Sequence, residues 1–298
     1  MGKAFPGGTK SSRSLPPDLL SVETSPWGVV NKWDWTNESA HTFSDGVAQG
    51  FQGINWTSRN TALADSLQVK ASGLEIGITA SEATSRYYHV TQTGPVVFAS
   101  LSDIVSGYSL KDTIVIQCVM DSDVTIQSGN ESNQHVYGGL IVFDGGYGAS
   151  GGGNWYQANW YRQLSASTNY YHARYGGGTA AGAGDNVVTA DTGGGAPTFI
   201  EMTIYPATGW ASAMSLDPVI QDPHSVSTGV FYGNMETSLP ASIGSGGGNI
   251  SPGTNPDFTL RPSNIKVGMW ASYLTTGGVR GSEVTVTFKK FRVFKRKS

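Results

Sequence analysis

The chain has 298 residues, of which 40 are glycine and only 14% are charged, a length that fits one large β domain or two small ones. The formal net charge is −3, but residues 1–14 carry three bases and no acid, residues 289–298 carry six bases and no acid, and the body between holds ten bases against 22 acids. An acidic body with basic ends lacks the basic stripe of a nucleic-acid reader, so no nucleic-acid partner is expected and the ends suit an acidic neighbour.

Residues 1–24 mix Pro, Gly, Ser and Lys without periodicity and read as an extended N-terminal arm, leaving 25–298 for the folded domain. Phe5, Leu15, Leu19 and Leu20 are the apolar residues with which such an arm would anchor on a partner. The arm holds no apolar run of signal-peptide type, and no stretch of the chain reaches the ~20 apolar residues that span a bilayer. The expectation is synthesis in a cytoplasm, with no membrane insertion.

From Trp27 onward strand signals recur. Trp33, Asp34 and Trp35 read as one strand with the two indoles on one face. "GLEIGIT" (73–79) alternates, and "YYHVTQ" (87–92) is rich in β-formers. "FASLSDIVS" (98–106) is the one short helical turn predicted. "DTIVIQCVMD" (112–121) sets Ile114, Ile116 and Cys118 on one face, which makes Cys118, the single cysteine, a small core residue. "YGGLIVFD" (137–144) is apolar throughout, as a strand buried on both faces would be. "NWYQANWYRQL" (154–164), "TNYYHARY" (168–175), "TFIEMTIYP" (198–206), "WASAMSL" (210–216), "GVFYG" (229–233), "NIKVGMWASYL" (264–274) and "EVTVTFKKFRVF" (283–294) complete the set. Three glycine-rich stretches, 144–153, 176–196 and 244–257, read as long loops. About a dozen strands separated by turns predict an all-β sandwich.

The order of these pieces resembles the concanavalin A-like lectin/glucanase sandwich, including its laminin-G-like branch. "FSDGVAQGFQGINW" (43–56) is similar to that family's opening strand with its Trp, and "GLEI" to the short strand that follows. "DTIVIQCVMDSD" and "YGGLIVFDGG" resemble its long central strand pair, and "NIKVGMWASY" with "EVTVTFKKFRVF" its closing pair. The resemblance spans roughly residues 27–294. It implies an antiparallel, jelly-roll type β-sandwich. The family's glycoside hydrolases carry Glu-x-Asp-x-x-Glu on one strand, which places the carboxylates on one face. None of Glu23, Glu38, Glu75, Glu82, Glu131, Glu201, Glu236 and Glu283 has Asp two residues later, so no catalytic residue is assigned and no enzyme is expected.

Candidate binding residues come from period-2 alternation in "NWYQANWYRQ". Trp155, Gln157, Asn159 and Tyr161 share one face, with Tyr171 nearby in sequence. Aromatic rings stack on sugars and planar amides hydrogen-bond their hydroxyls, so this row is the predicted glycan-facing set. The bland alternative is a sandwich wall. No metal is assigned: the histidines are scattered, and Asp121–Asp123 lacks the Gly and Glu of a calcium loop. Calcium there or at Asp144 is the alternative to an expectation of no cofactor. Glu75 and Glu201, both on alternating strands, are the carboxylates left for an enzymatic alternative.

The profile as a whole is a glycine-, serine- and aromatic-rich β chain with an arm and no disulfide. It predicts a virion structural protein, a capsid decoration, fibre or receptor-binding subunit of a bacteriophage or virus. Its partners would be other virion proteins, further copies of itself and cell-surface glycan. The alternative is a cellular carbohydrate-binding module or glycoside hydrolase of the same fold.

Overall fold

The structure, a computed structural model, describes residues 27–59, 61–79, 94–109, 111–125, 134–145, 154–163, 169–177, 185–191, 198–205, 210–216, 262–275 and 283–296. Among these residues two antiparallel sheets of eight strands each carry the fold. Sheet A runs β14 (Trp210–Leu216), β13 (Thr198–Tyr205), β8 (Ile114–Thr125), β16 (Glu283–Arg296), β6 (Gly73–Thr79), β5 (Ser66–Lys70) and β2 (His41–Thr42), with β1 (Trp27–Asp34) also paired to β16. Sheet B runs β12 (Asp185–Asp191), β11 (Asn169–Gly177), β10 (Asn154–Gln163), β9 (Gln134–Phe143), β15 (Lys266–Thr275), β7 (Val96–Ser100), β4 (Ile54–Arg59) and β3 (Ala48–Phe51). This is the antiparallel β-sandwich that the resemblance implies.

Alternation decides which side chains meet between the sheets. Sheet A contributes Leu74, Ile76, Ile114, Ile116, Met202, Val286 and Phe291, and sheet B contributes Trp56, Val97, Leu140, Val142 and Met269, all in one buried cluster. Cys118 lies in the same cluster, where burial pushes its thiol far above the ordinary range. The Trp56 ring meets Phe291 edge to face at 5.5 Å and Trp35 at 5.2 Å, tying the sheets together near the strand that ends the fold. Gly138 faces this interior, and a Cβ there would meet Val286 Cγ1 at 2.8 Å and Met120 Cε at 2.9 Å, so glycine is what lets the sheets approach at that point.

The strand β16 holds the two halves of sheet A. One edge pairs β8 along its length; the other pairs β6 up to Phe288 and β1 from Lys290 onward. The register shifts between Phe288 and Lys290, and Lys289 ion-pairs with Asp121 at 3.0 Å beside that irregularity. The β3–β4 hairpin turns through Gln52 (φ 50) and Gly53 (φ 78), the two positive φ values of a type I′ turn.

Several expectations shift. Trp33 and Trp35 are not on one strand: β1 ends at Asp34, whose carboxylate accepts from the Thr36 backbone N–H at 3.2 Å and caps a 3₁₀ turn over Trp35–Asn37. A short helix, α1 (Leu101–Ile104), stands where a helical turn was predicted. The glycine-rich stretch 176–196 contains strand β12, whose "NVVT" centre supplies β-branched residues that the flanking glycines mask. The two long strands predicted as a central pair, β8 and β9, lie in different sheets, as do β15 and β16. Each consecutive pair faces across the core instead of hydrogen-bonding. The segments 87–92, 229–233 and 244–257 and the arm 1–24 lie outside the described residues.

Sheet A is pinned at one end by Asp112. Its carboxylate accepts from the Ser109 N–H at 2.6 Å and meets Lys295 of β16 at 3.0 Å. Burial pushes this carboxyl up, but the Ser109 bond and the Lys295 charge outweigh it and hold the group below the ordinary aspartate range. A depressed folded value gives stability that is present above the unfolded aspartate value of about 3.9 and is lost as pH falls through the lower folded value. Asp112→Asn is therefore expected to lower the melting temperature at pH 7 and to flatten its decline below about pH 4, read by melting curves at stepped pH.

Candidate ligand-binding face

The face of sheet B turned away from the sandwich interior is built by the same alternation. Register places Trp155 opposite Phe143, Gln157 opposite Ile141, Asn159 opposite Gly139 and Tyr161 opposite Tyr137. In turn Phe143 stands opposite Lys266, Ile141 opposite Gly268, and Gly139 opposite Trp270. Tyr137, Ile141, Phe143, Trp155, Trp270 and Val96 form a second buried cluster, separate from the main core, with Phe98 packed against it. Tyr137 and Trp270 lie near-parallel at 6.5 Å, and Phe98 meets Phe143 edge to face at 5.1 Å.

Register thus puts the four positions of the predicted row on one face. Trp155 is 2% exposed and Gln157 0%. The sequence shows alternation, not coverage: Trp155 and Gln157 are buried, and the side chains of Asn159 and Tyr161 lie outside the described residues. Tyr171 does not join the row. It pairs with Trp160, and Trp160 stands opposite Gly138, so its register position belongs to the interior-facing set. His172 takes the position next to Asn159, and Arg174 the position next to Gln157. Sequence proximity suggested Tyr171; only the β10–β11 register shows that its neighbour is the residue on the row.

Trp270 and Tyr137 belong to this face and were not among the predicted residues. Trp270 sits in an apolar run where alternation is hard to read, and only its pairing with Gly139 places it opposite the interior. At the end of the face, the Lys266 ammonium donates to the Gly145 carbonyl at 2.7 Å and lies 5.6 Å from the Phe143 ring centre. Burial pushes Lys266 below the ordinary lysine range, opposed by the charge of Asp144.

The carboxylates weighed for catalysis are apart. Glu75 pairs in register with Thr287, which stands opposite Asp121; Glu201 pairs with Gln117, four residues away from Asp121 on the same strand. Three strand steps and four residues put the two about 19 Å apart, against the roughly 5–10 Å separation of a glycosidase pair. Glu75 is bound to Lys70 at 2.6 Å. Glu201 is buried and accepts from Gln117 Nε2 at 2.7 Å, as a structural contact between β13 and β8. Asp121 and Asp123 lie within β8, not in a loop, and Asp144 is buried at the end of β9. Among the described residues no group of three or more His, Cys, Asp or Glu side chains comes together to hold a metal. No helix among them is long and apolar enough to cross a membrane.

No protein-family model matches the chain, and no curated protein matches it in sequence. Among solved structures, the CBM2 module of the evolved Dit of Lactobacillus casei BL23 phage J-1 aligns at a TM-score of 0.39 and 9% identity, over 90% of this chain and 95% of that one. The endo-1,3-β-glucanase of Streptomyces sioyaensis aligns at 0.45 and 8% identity, over 96% and 100% of the two chains. Lectin I of Ulex europaeus aligns at 0.39 and 7% identity, over 92% and 99%. These are distant likenesses, and the functional reading rests on this chain's own residues.

If Glu201 is structural, replacing it should cost stability. Glu201→Leu removes the bond to Gln117 inside a closed site, with an expected loss on the order of 1–3 kcal/mol in urea unfolding. Pairing it with Gln117→Leu should recover part of that loss, because neither polar partner is then left buried.

Proposed function

We propose that this chain is a virion structural protein, a decoration, fibre or receptor-binding subunit, that holds cell-surface glycan on the outer face of sheet B. The observation that supports glycan binding is the row Trp155, Gln157, Asn159 and Tyr161 on one face of β10, joined by Tyr137 and Trp270 from the neighbouring strands; with Trp155, Gln157, Tyr137 and Trp270 buried, this reading requires the face to open when a ligand binds. Aromatic faces suit the apolar sides of sugar rings, and an amide between them suits a hydroxyl, which it can both accept from and donate to. The role is binding without chemistry: the Glu-x-Asp-x-x-Glu spacing is absent and Glu75 and Glu201 stand on separate parts of sheet A. The virion reading is supported by the sequence profile, a glycine-rich β chain with one buried cysteine and an aperiodic arm. In this reading Phe5, Leu15, Leu19 and Leu20 bury against a neighbouring subunit, and repeated copies raise the avidity of weak sugar sites.

A glycan array probed with multivalent full-length protein is expected to show binding that falls at least tenfold in Trp155→Ala and Tyr161→Ala. Removal of residues 1–24 is expected to leave a folded chain whose mass by light scattering drops from an assembly to a monomer. An array silent at high valency overturns the glycan role, and a chain that is monomeric with or without the arm overturns the anchored-subunit role. Release of reducing sugar by the purified protein would point to the hydrolase alternative.

A further inference from the structure

The face of sheet B turned away from the core is covered only in part. Ile141, Phe143, Trp155, Gln157 and Trp270 are buried, whereas Asn55 and Arg59 are exposed and Thr57, Phe98 and Ser100 are half-buried. Trp56, Val97 and Ala99 of the same strands lie in the main core, so alternation turns Asn55, Thr57, Phe98 and Ser100 outward. These positions already meet solvent. A ligand reaches them without the opening that the buried row requires.

Phe98 is the one aromatic side chain on this open shelf. Register places it opposite Thr57 of β4 on one side and Gly268 of β15 on the other. Thr57 in turn stands opposite Ala48 of the edge strand β3, and Asn55 opposite Gly50. Ala48 and Gly50 are both exposed, and the nearest atom that a Cβ on Gly50 would meet across the sheet is Asn55 Oδ1, 3.8 Å away. Toward the sheet edge the floor is therefore flat, with small side chains around the ring. On its other side the ring is held. Phe98 of β7 and Phe143 of β9 meet edge to face at 5.1 Å although β15 runs between their strands. The residue of β15 beside Phe98 is Gly268, where a Cβ would stand 2.8 Å from Phe98 Cβ, so the rings meet above a position that has no side chain. A ring packed on one side against its cluster and half-open on the other is a preset stacking surface.

Charge at the shelf is balanced. Arg59 is the only charged residue of β3, β4 and β7, and it ion-pairs with Asp45 at 3.6 Å. Lys266, opposite Ser100 at the corner, donates to the Gly145 carbonyl and has Asp144 as its counter-charge. What remains to meet a ligand is an aromatic ring, an amide and hydroxyls, a set that suits an uncharged polar molecule with an apolar side.

We propose that an uncharged sugar docks on this shelf, its apolar side stacked on Phe98 and its hydroxyls bonded to Thr57 and Asn55. This rests on the glycan-binding reading above and names the open part of the face as the point of first contact. The Thr57 hydroxyl and the Asn55 amide each donate and accept, as sugar hydroxyls do. Asn55 stands one strand and two residues from Phe98, about 8 Å, so ring, hydroxyl and amide fall within the reach of one sugar. One such contact is weak, and repeated copies supply the strength.

The test uses multivalent full-length protein on an array of neutral oligosaccharides. Phe98→Leu keeps apolar bulk against Phe143 and removes the stacking ring. Thr57→Val keeps the shape and removes the hydroxyl, and Asn55→Ala removes the exposed amide. Each is expected to bind roughly fivefold or more below the parent. Thr285→Val makes the same change on the outer side of sheet A, where Val284 and Val286 face the core, and is expected to bind as the parent does. Melting curves within a few degrees of the parent confirm that each variant folds. The inference stands if at least two of the three shelf variants lose threefold or more. It is overturned, with glycan binding left standing, if two or more stay within threefold of the parent or if Thr285→Val loses as much. Silence of the parent across the array overturns both readings.

Discussion

Everything in sheet A depends on the two edges of β16. That strand gives one edge to β8 and divides the other between β6 and β1, so three otherwise separate segments share one ladder of backbone hydrogen bonds. Its interior side chains, Val286, Phe288, Phe291 and Val293, also meet the residues of sheet B across the core. A strand buried on both edges and one face has no freedom of register, because a slip by one residue would turn its apolar set outward. The shift between Phe288 and Lys290 is where that constraint is relieved, at the point where the partner changes from β6 to β1. The Lys289–Asp121 pair seals the gap.

Sheet B is organised differently. Its interior face completes the core, while its other face carries an independent apolar cluster with polar groups embedded in it. β9 serves both, which explains its near-continuous apolar sequence: Leu140 and Val142 face sheet A, while Ile141 and Phe143 face the other way. The strands of the candidate face therefore have their backs locked by the core.

The elements that the sequence announced most clearly are those with unbroken periodicity. β6, β9, β10, β13, β14 and β16 fall within a few residues of their predicted ranges because alternation or an apolar run marks them directly. The short strands β2 and β5 have too few residues to show a period, and β12 is hidden among glycines. The strand of Trp33 was cut short by Asp34, since capping of a 3₁₀ turn overrode an alternating pattern. For the site, period 2 was enough to group Trp155, Gln157, Asn159 and Tyr161. It was not enough to bring in Trp270 or to exclude Tyr171, because membership across strands is a matter of register, which sequence alone leaves open. Burial of Trp155 was also illegible, since alternation tells which face a side chain is on and not whether that face is covered.

The division of the second edge of β16 has a consequence for how the protein is made. Residues 27–34, and the β5–β6 pair, are not linked to β8 until residues 283–296 have been synthesised. Sheet A therefore closes only through contacts spanning more than two hundred residues, and chain growth from the ribosome cannot finish it piece by piece. Until then the apolar faces of β6 and β8 wait without their common neighbour, a window in which a nascent chain is exposed to aggregation and to chaperone capture. Completion of sheet A is thus timed by β16.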